Sequence, residues 1–275
     1  MARKIVRLGT RESPLAMIQT KMVMKAIQQA DPSIDVRLVS MKTTGDILAS
    51  ARLSDFGGKG LFVKELDAAL LTKKVDLTVH SFKDVPMDLP DELPIIATSN
   101  RADPRDVLVL PLQKNENKKR TNFLLGCSSQ RRSCQLRELF PNAAIEPVRG
   151  NVQTRLRKLN EGKYSALVLA AAGLSRLGLS THINRFFSIK EILPAACQGI
   201  LAVQARRGES FPFLMAFHSA DSLDAATAER AFVRALGGGC GTPVAAYAQI
   251  QGTECLLRGL FLHEPSGKIW RGQLS

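Results

Sequence analysis

Two short stretches of this chain hold side chains able to do covalent or ionic chemistry: Leu236-Gly-Gly-Gly-Cys240-Gly-Thr-Pro243 and His80-Ser-Phe-Lys83-Asp84-Val-Pro86. Three glycines, a cysteine and then Gly-Thr-Pro do not suit the middle of a helix or strand, because glycine loses the most backbone freedom on ordering and proline removes a donor. The first stretch is read as a loop with a thiol at its tip, where sulfur is accessible for chemistry. In isolation, a glycine-rich turn with an incidental cysteine explains it equally well. In the second stretch a short strand, 76–79, delivers Lys83 and Asp84 before Pro86 stops the chain, and open α/β sheets take their ligands at such strand ends. A carboxylate there can accept N–H donors and stabilise positive charge forming on a bound molecule, and the neighbouring lysine keeps it ionised. A surface ion pair is the plainer alternative, and His80 suits packing or capping better than base chemistry.

Arginines recur in one local setting. Strand 5–8 runs into Gly9-Thr-Arg11-Glu-Ser13-Pro14, where serine is a helix N-cap and proline the first helical residue ahead of an apolar-periodic run over 15–27. The pattern returns at strand 123–127, loop Ser128-Ser129-Gln130-Arg131-Arg132 and a helix to 139. It returns again at strand 144–148, loop Arg149-Gly150-Asn151 and a helix holding Thr154, Arg155 and Leu159. Arg176, after strand 165–169, adds to the set. Helix N-termini favour anions and a guanidinium matches a carboxylate bidentately, so several such corners facing one cleft would bind a ligand with many carboxylates. Gly57-Gly-Lys59-Gly60 precedes a helical run over 61–71 but lacks the spacing of a phosphate loop, and Lys59 is read as a cation on a flexible loop.

The elements that must position these residues alternate strand and helix, which implies parallel or mixed sheets with helices on both faces. The second strand is 34–40, followed by a turn at 43–46; strands 94–98 and 107–110 flank a polar hinge, 100–106, and 192–203 reads as a second crossing between two units. A length of 275 residues allows two or three domains. No apolar run approaches the ~18 residues of a membrane span, and 166–174 reads as a buried strand entering a turn. With no secretory pattern at the N-terminus and five cysteines lacking a C-x-x-C pair, reduced thiols and a cytoplasmic location are expected, with neither disulfides nor a metal site. The net charge of +13 calls for a phosphate backbone or a small polyanion as partner. One Trp and two Tyr leave little for base stacking, and the one charge run, 114–120, is most simply a solvated loop.

Several motifs then occur together and in order: Arg11-x-Ser13-Pro14, Gly58-Lys59-Gly60-Leu-Phe-Val-Lys-Glu-Leu66, His80-Ser-Phe-Lys-Asp-Val-Pro86, Ser128-Ser-Gln-Arg-Arg132, Arg149-Gly-Asn-Val-Gln-Thr-Arg155, Leu193-Pro-Ala-Ala-Cys-Gln-Gly199, Ala228-Glu-Arg-Ala231 and Gly238-Gly-Cys240. Over nearly the whole chain the sequence resembles the porphobilinogen deaminase family. That resemblance implies an α/β fold with two doubly wound, mixed-sheet domains similar to type-two periplasmic binding proteins, plus a small α+β third domain. The expected division is 1–99 with 200–218, 100–199, and 219–275. The implied activity is that of a transferase, hydroxymethylbilane synthase, which condenses four porphobilinogen units with loss of ammonia on a dipyrromethane cofactor held by a thioether to Cys240. By motif match Asp84, Lys83 and Arg11 are catalytic; Cys240, Lys83, Asp84, Ser128, Ser129, Arg131, Arg132, Arg149 and Arg155 hold the cofactor; and Arg11, Ser13, Gln19, Lys59, Arg176, Gln198 and Gly199 hold the substrate. The implied partner is the small molecule porphobilinogen, with no nucleic acid or membrane, for a monomeric protein. Each pyrrole brings two carboxylates, so a chain of four units on a two-unit primer gathers about twelve negative charges, and the excess of positive charge finds a substrate.

The sequence departs from the family pattern at Cys127, Gln130, Gln153 and Cys197, where Thr, Leu, Gly and Gly are expected, and at Gly241-Thr242 in place of Gln-Val. The family's last helix is also not seen after Lys268-Ile-Trp-Arg-Gly-Gln-Leu-Ser275, which leaves apolar sheet surface in the third domain needing another cover. Two other classes explain parts of the pattern. A non-catalytic two-domain anion-binding protein shares the fold but has no use for the cysteine loop; a nucleic-acid binder explains the charge but predicts a contiguous basic surface.

Overall fold

A computed structural model describes residues 4–47, 63–112, 123–239, 241–263 and 265–275. Lys59, the run 114–120 and Cys240 lie outside the described residues. The chain forms two compact units, Met1–Ala102 with Gly199–Thr227 and Asp103–Gln198 with Ala228–Ser275.

In the first unit, β1 (Ile5–Arg11) pairs in parallel with β2 (Asp35–Met41) and β3 (Leu77–Ser81), while β10 (Leu201–Gln204) runs antiparallel between β3 and β4 (Ile95–Thr98). The order β2-β1-β3-β10-β4 is a mixed five-stranded sheet. Helix α1 (Pro14–Ala30) starts where the Ser-Pro signal places it, with the Ser13 hydroxyl accepting from the Ala16 N–H at 3.3 Å. It buries Ala16, Gln19, Thr20, Val23 and Ile27, one stripe at helical spacing, and Val23 and Ile27 of that stripe pack with Val6, Leu8, Leu77 and Val79 of the sheet. The turn expected at 43–46 is the entry to a short helix, α2 (Thr44–Ile47), and the helical run expected over 61–71 is α3 (Lys64–Leu71).

The second unit repeats the scheme. Here β6 (Leu124–Gly126) pairs in parallel with β7 (Ala144–Glu146) and β8 (Ala166–Ala170), and β5 (Asp106–Val109) runs antiparallel between β8 and the two-residue β9 (Arg185–Phe186). The order β7-β6-β8-β5-β9 matches that of the first sheet position by position. Along β8, Leu167 and Leu169 pack with α5 (Val152–Asn160), whereas Ala166 and Val168 pack with α4 (Gln130–Leu139). Period-two alternation thus buries both faces of the strand under helices, the doubly wound arrangement. The run 166–174 is β8 followed by α6 (Ala171–Arg176).

The same unit holds a third, antiparallel sheet of β11 (Val244–Gln251), β12 (Glu254–His263) and β13 (Lys268–Leu274). Helix α7 (Ala220–Ala235) lies so close that a Cβ on Gly259 would sit 2.4 Å from the Phe232 ring. Cys134 of α4 and Leu193 pack with Ala245 and Leu260 of this sheet. Glu229 is fully buried and accepts the backbone N–H groups of Cys197 at 2.5 Å and Ala248 at 2.7 Å, tying the 192–198 segment to β11. Truncation of Glu229 to alanine leaves two buried donors without this acceptor, and chemical denaturation is expected to show a loss of roughly 2–4 kcal/mol.

The backbone where that segment ends is equally constrained. Cys197 adopts φ 62, the left-handed region that costs a side chain ~1 kcal/mol or more, and Gly199 adopts φ 94. A Cβ at Gly199 would stand 2.4 Å from the Ala102 carbonyl oxygen, and the Ala102 N–H donates to the Gly199 carbonyl at 3.1 Å. Gly199→Ala is therefore expected to cost about 3 kcal/mol, read as a lowered melting temperature.

Candidate functional site

Among the described residues, those singled out in the sequence gather near the carboxyl ends of the parallel strands in the first two sheets. In the first unit β1 ends in Arg11, and β3 passes at Ser81 into a 3-10 turn, Phe82–Asp84. Phe82 and Val85 are buried, so the core grips the turn on both sides and leaves Lys83 half-buried and Asp84 exposed. The Phe82 N–H donates to the Ile200 carbonyl at 3.0 Å, which holds the turn to the approach of β10. A carboxylate displayed in this way, at the carboxyl end of a parallel strand, can meet a ligand without carrying the turn's own structure. Gln19 is buried and exchanges hydrogen bonds with the Ser81 hydroxyl, its amide nitrogen donating at 2.8 Å and its oxygen accepting at 3.1 Å. It supports the end of β3, and the Ser13 hydroxyl serves the α1 N-terminus. His80 is buried beside the Thr78 hydroxyl at 2.9 Å, and burial pulls its pKa down to about 4, so it is neutral at physiological pH, as expected of a packing residue.

Arg11 has a partner that sequence reasoning missed. Its Nε donates to Asp46 Oδ2 at 3.1 Å and its Nη2 donates to Oδ1, a fork-to-fork pair. Burial works to raise the Asp46 pKa, but the Arg11 and Thr43 hydrogen bonds outweigh it and hold the carboxyl below its usual range.

In the second unit the ends of β6, β7 and β8 carry the remaining arginines. Ser129 caps α4 by accepting from the Arg132 N–H at 3.4 Å, and Asn151 caps α5 by accepting from the Thr154 N–H at 2.9 Å. Ser128 locks the two corners together, donating to the Val148 carbonyl at 2.6 Å and accepting from the Val148 N–H at 3.0 Å. Arg155 donates through Nε to the Gly150 carbonyl at 2.8 Å, across the Arg149-Gly150-Asn151 loop. Arg149 and Arg176 are half-buried, and burial lowers the Arg176 pKa to about 10, still fully cationic at neutral pH.

Arg131 and Arg132 are buried, and the reason is Asp106, a second carboxylate that sequence reasoning missed. Asp106 opens β5, and because β5 is antiparallel to β8 its amino end lies opposite Ala170, the carboxyl end of β8. It is fully buried; Arg132 Nη2 donates to Oδ1 at 2.7 Å, and Arg131 Nη1 lies 2.8 Å from Oδ2 as an ion pair without hydrogen-bond alignment. Gln198 donates to the same Oδ1 at 2.9 Å and to the Pro104 carbonyl at 2.7 Å. Burial alone would raise the Asp106 pKa, but the two guanidiniums reverse the sign and drive it far below the carboxylate range. The only hint in the sequence is general: two arginines near a helix start cannot be buried without a counter-ion. Two guanidiniums against one carboxylate leave this cluster cationic, so the donor set fits a ligand that brings carboxylates.

Fold and site together define an α/β protein of two similar units whose strand ends present cations, with an exposed carboxylate in the first. A porphobilinogen deaminase family model, that of the dipyrromethane cofactor-binding domain, matches residues 6–211, and the family's C-terminal domain model matches 223–269. Porphobilinogen deaminase of Ruminiclostridium josui is 54% identical over 266 residues, covering 97% of this chain and 90% of that one. The enzyme of Ruminiclostridium cellulolyticum is 55% identical, covering 96% and 89%, and that of Acetivibrio thermocellus 54% identical, covering 97% and 90%. Among solved structures, the methionine-binding protein MetQ overlays with a TM-score of 0.47 at 12% identity, over 82% of this chain and 94% of that one. The chain belongs to the porphobilinogen deaminase family.

Proposed function

We propose that this chain is a hydroxymethylbilane synthase, a transferase that condenses four porphobilinogen molecules, with release of ammonia, into a linear tetrapyrrole. The observation that carries the reading is the match of the dipyrromethane-binding family model across residues 6–211, at about 54% identity to named deaminases over nearly the full chain. When bound, the dipyrromethane supplies a nucleophilic pyrrole carbon on which the chain of rings is extended. The sulfur of Cys240 is its attachment point. Arg131, Arg132, Arg149 and Arg155, with Ser129, would hold its acetate and propionate groups, and Ser128 acts at one remove by tying the α4 and α5 corners together.

The protein's own part in the reaction is electrostatic. Asp84 accepts pyrrole N–H donors and stabilises the positive charge that develops on a pyrrole as ammonia departs, and Lys83 beside it pairs with a ring carboxylate. Arg11, Ser13, Gln19, Lys59, Arg176, Gln198 and Gly199 belong to the substrate subsite. Of these, Gln19 and Gln198 act at one remove, through Ser81 and through Asp106, and Gly199 by allowing the backbone to turn. The proposed three-way division is 1–99 with 200–218, 100–199 and 219–275, and the presence of three separate sheets supports it. A cytoplasmic location fits the free thiols of Cys127, Cys134, Cys197 and Cys255, and a monomer is the proposed state.

Intact-protein mass spectrometry tests this reading. Active protein is expected to carry the mass of two condensed pyrroles, lost in Cys240→Ala together with bilane formation from porphobilinogen. An unmodified mass in an active preparation overturns it.

A further inference from the structure

Asp46 does more than balance a charge. Thr43 and Asp46 form a reciprocal cap at the start of α2: the Asp46 N–H faces the Thr43 hydroxyl oxygen at 3.3 Å, and the Thr43 hydroxyl donates to Asp46 Oδ2 at 2.8 Å. The Thr43 N–H reaches the same oxygen at 3.4 Å. The carboxylate is therefore held in place by its own turn, whether or not Arg11 is there. From that fixed position it fills the side-on edge of Arg11, the Nε and Nη2 pair that best matches any carboxylate. A second carboxylate, Glu65, accepts the Thr44 N–H at 2.8 Å and raises the negative potential around Asp46. The pair is not sealed, since 23% of the Arg11 side chain and 21% of that of Asp46 remain exposed, so a ligand can reach it.

We propose that Asp46 is a resident competitor for Arg11: it occupies the guanidinium when no substrate carboxylate is bound and yields it when one arrives. This rests on the reading of Arg11 as a substrate contact. The physical gain is in release. Loss of a ligand carboxylate from a half-buried arginine costs pairing energy, which exchange for another carboxylate recovers. Binding at Arg11 is then deliberately weak, which suits an enzyme whose polyanionic chain must move on after every addition. Asp46 is a positioning and specificity residue in this account, with no role in bond making.

Steady-state kinetics of the cofactor-loaded enzyme with porphobilinogen decide the point. Asp46→Asn keeps an oxygen for the Thr43 hydroxyl but removes the competing charge, and its KM is expected to fall about fivefold, the scale of a partly exposed ion pair, with kcat falling as release slows. Thr43→Val loosens Asp46 without touching Arg11 and is expected to shift KM the same way by a smaller factor, which keeps the test usable if Asp46→Asn folds poorly. An unchanged KM overturns the proposal, and so does a raised one, since it would mean that Asp46 merely steadies Arg11. If the unmodified enzyme makes no bilane, the functional reading falls instead.

Discussion

Replacement of Asp84 by asparagine is expected to lower kcat by about 10²–10³-fold while KM for porphobilinogen moves by less than about threefold. The split follows from where Asp84 sits. Phe82 and Val85 are buried and fix the 3-10 turn, so the exposed Asp84 side chain can be exchanged without unmaking the end of β3. Asparagine keeps an oxygen that accepts a pyrrole N–H, and ground-state contacts survive. What it loses is the negative charge opposite a cation that exists only as the leaving group departs, an interaction that belongs to the transition state. Asp84→Glu restores the charge on a longer stem and should recover part of the rate. Stopped-flow consumption of porphobilinogen by enzyme already carrying its cofactor isolates this step from cofactor assembly. A kcat within threefold of the unmodified enzyme would remove Asp84 from the reaction.

Much of this site could be read from the sequence because its cationic half is local. Ser13-Pro14, Ser129 and Asn151 are caps whose partners lie three residues away, and each is observed capping in the structure. Arginines placed next to such caps at the end of an apolar strand pattern are carried to a sheet edge by geometry alone. The anionic half could not be read. Asp46 lies 35 residues from Arg11, in a segment that looks like a turn, and Asp106 lies 26 residues before Arg132, in a segment that looks like a hinge. Nothing in the spacing announces these pairings, because they are made by strand order: β5 reaches its neighbours only after the sheet is assembled in the sequence β7-β6-β8-β5-β9. Gln19 and Gln198 show the same limit, since motif matching puts them near the ligand while their amides are bonded to Ser81 and Asp106. The two-residue β9 is too short for any periodic signal.

The largest effect on the folded protein is expected at Asp106. Its removal in Asp106→Ala places Arg131 and Arg132, whose side chains are only 5% and 9% exposed, against each other with no anion between them. Breaking a buried ion pair from one side costs about 3–5 kcal/mol, since carbonyl acceptors such as Leu193 for Arg131 and Val168 for Arg132 do not offset the lost negative charge. Asp106→Asn retains an acceptor for Gln198 but no charge, so its loss should fall toward the lower end of that range. The pH dependence carries the same signature. The folded-state pKa of Asp106 lies far below the unfolded value of about 3.9, so its contribution to stability is complete above that value and disappears as pH falls through and beneath it. Urea titrations should therefore show the unmodified protein losing stability below about pH 4 faster than Asp106→Asn, whose curve lacks this component. Because the arginine pair is also the proposed seat of the cofactor carboxylates, the intact mass of Asp106→Asn is expected to lack the dipyrrole adduct under conditions where the protein is still folded. Retention of both the adduct and full stability would show that Arg131 and Arg132 need no internal anion, and that the cationic strand ends do not depend on the buried carboxylate.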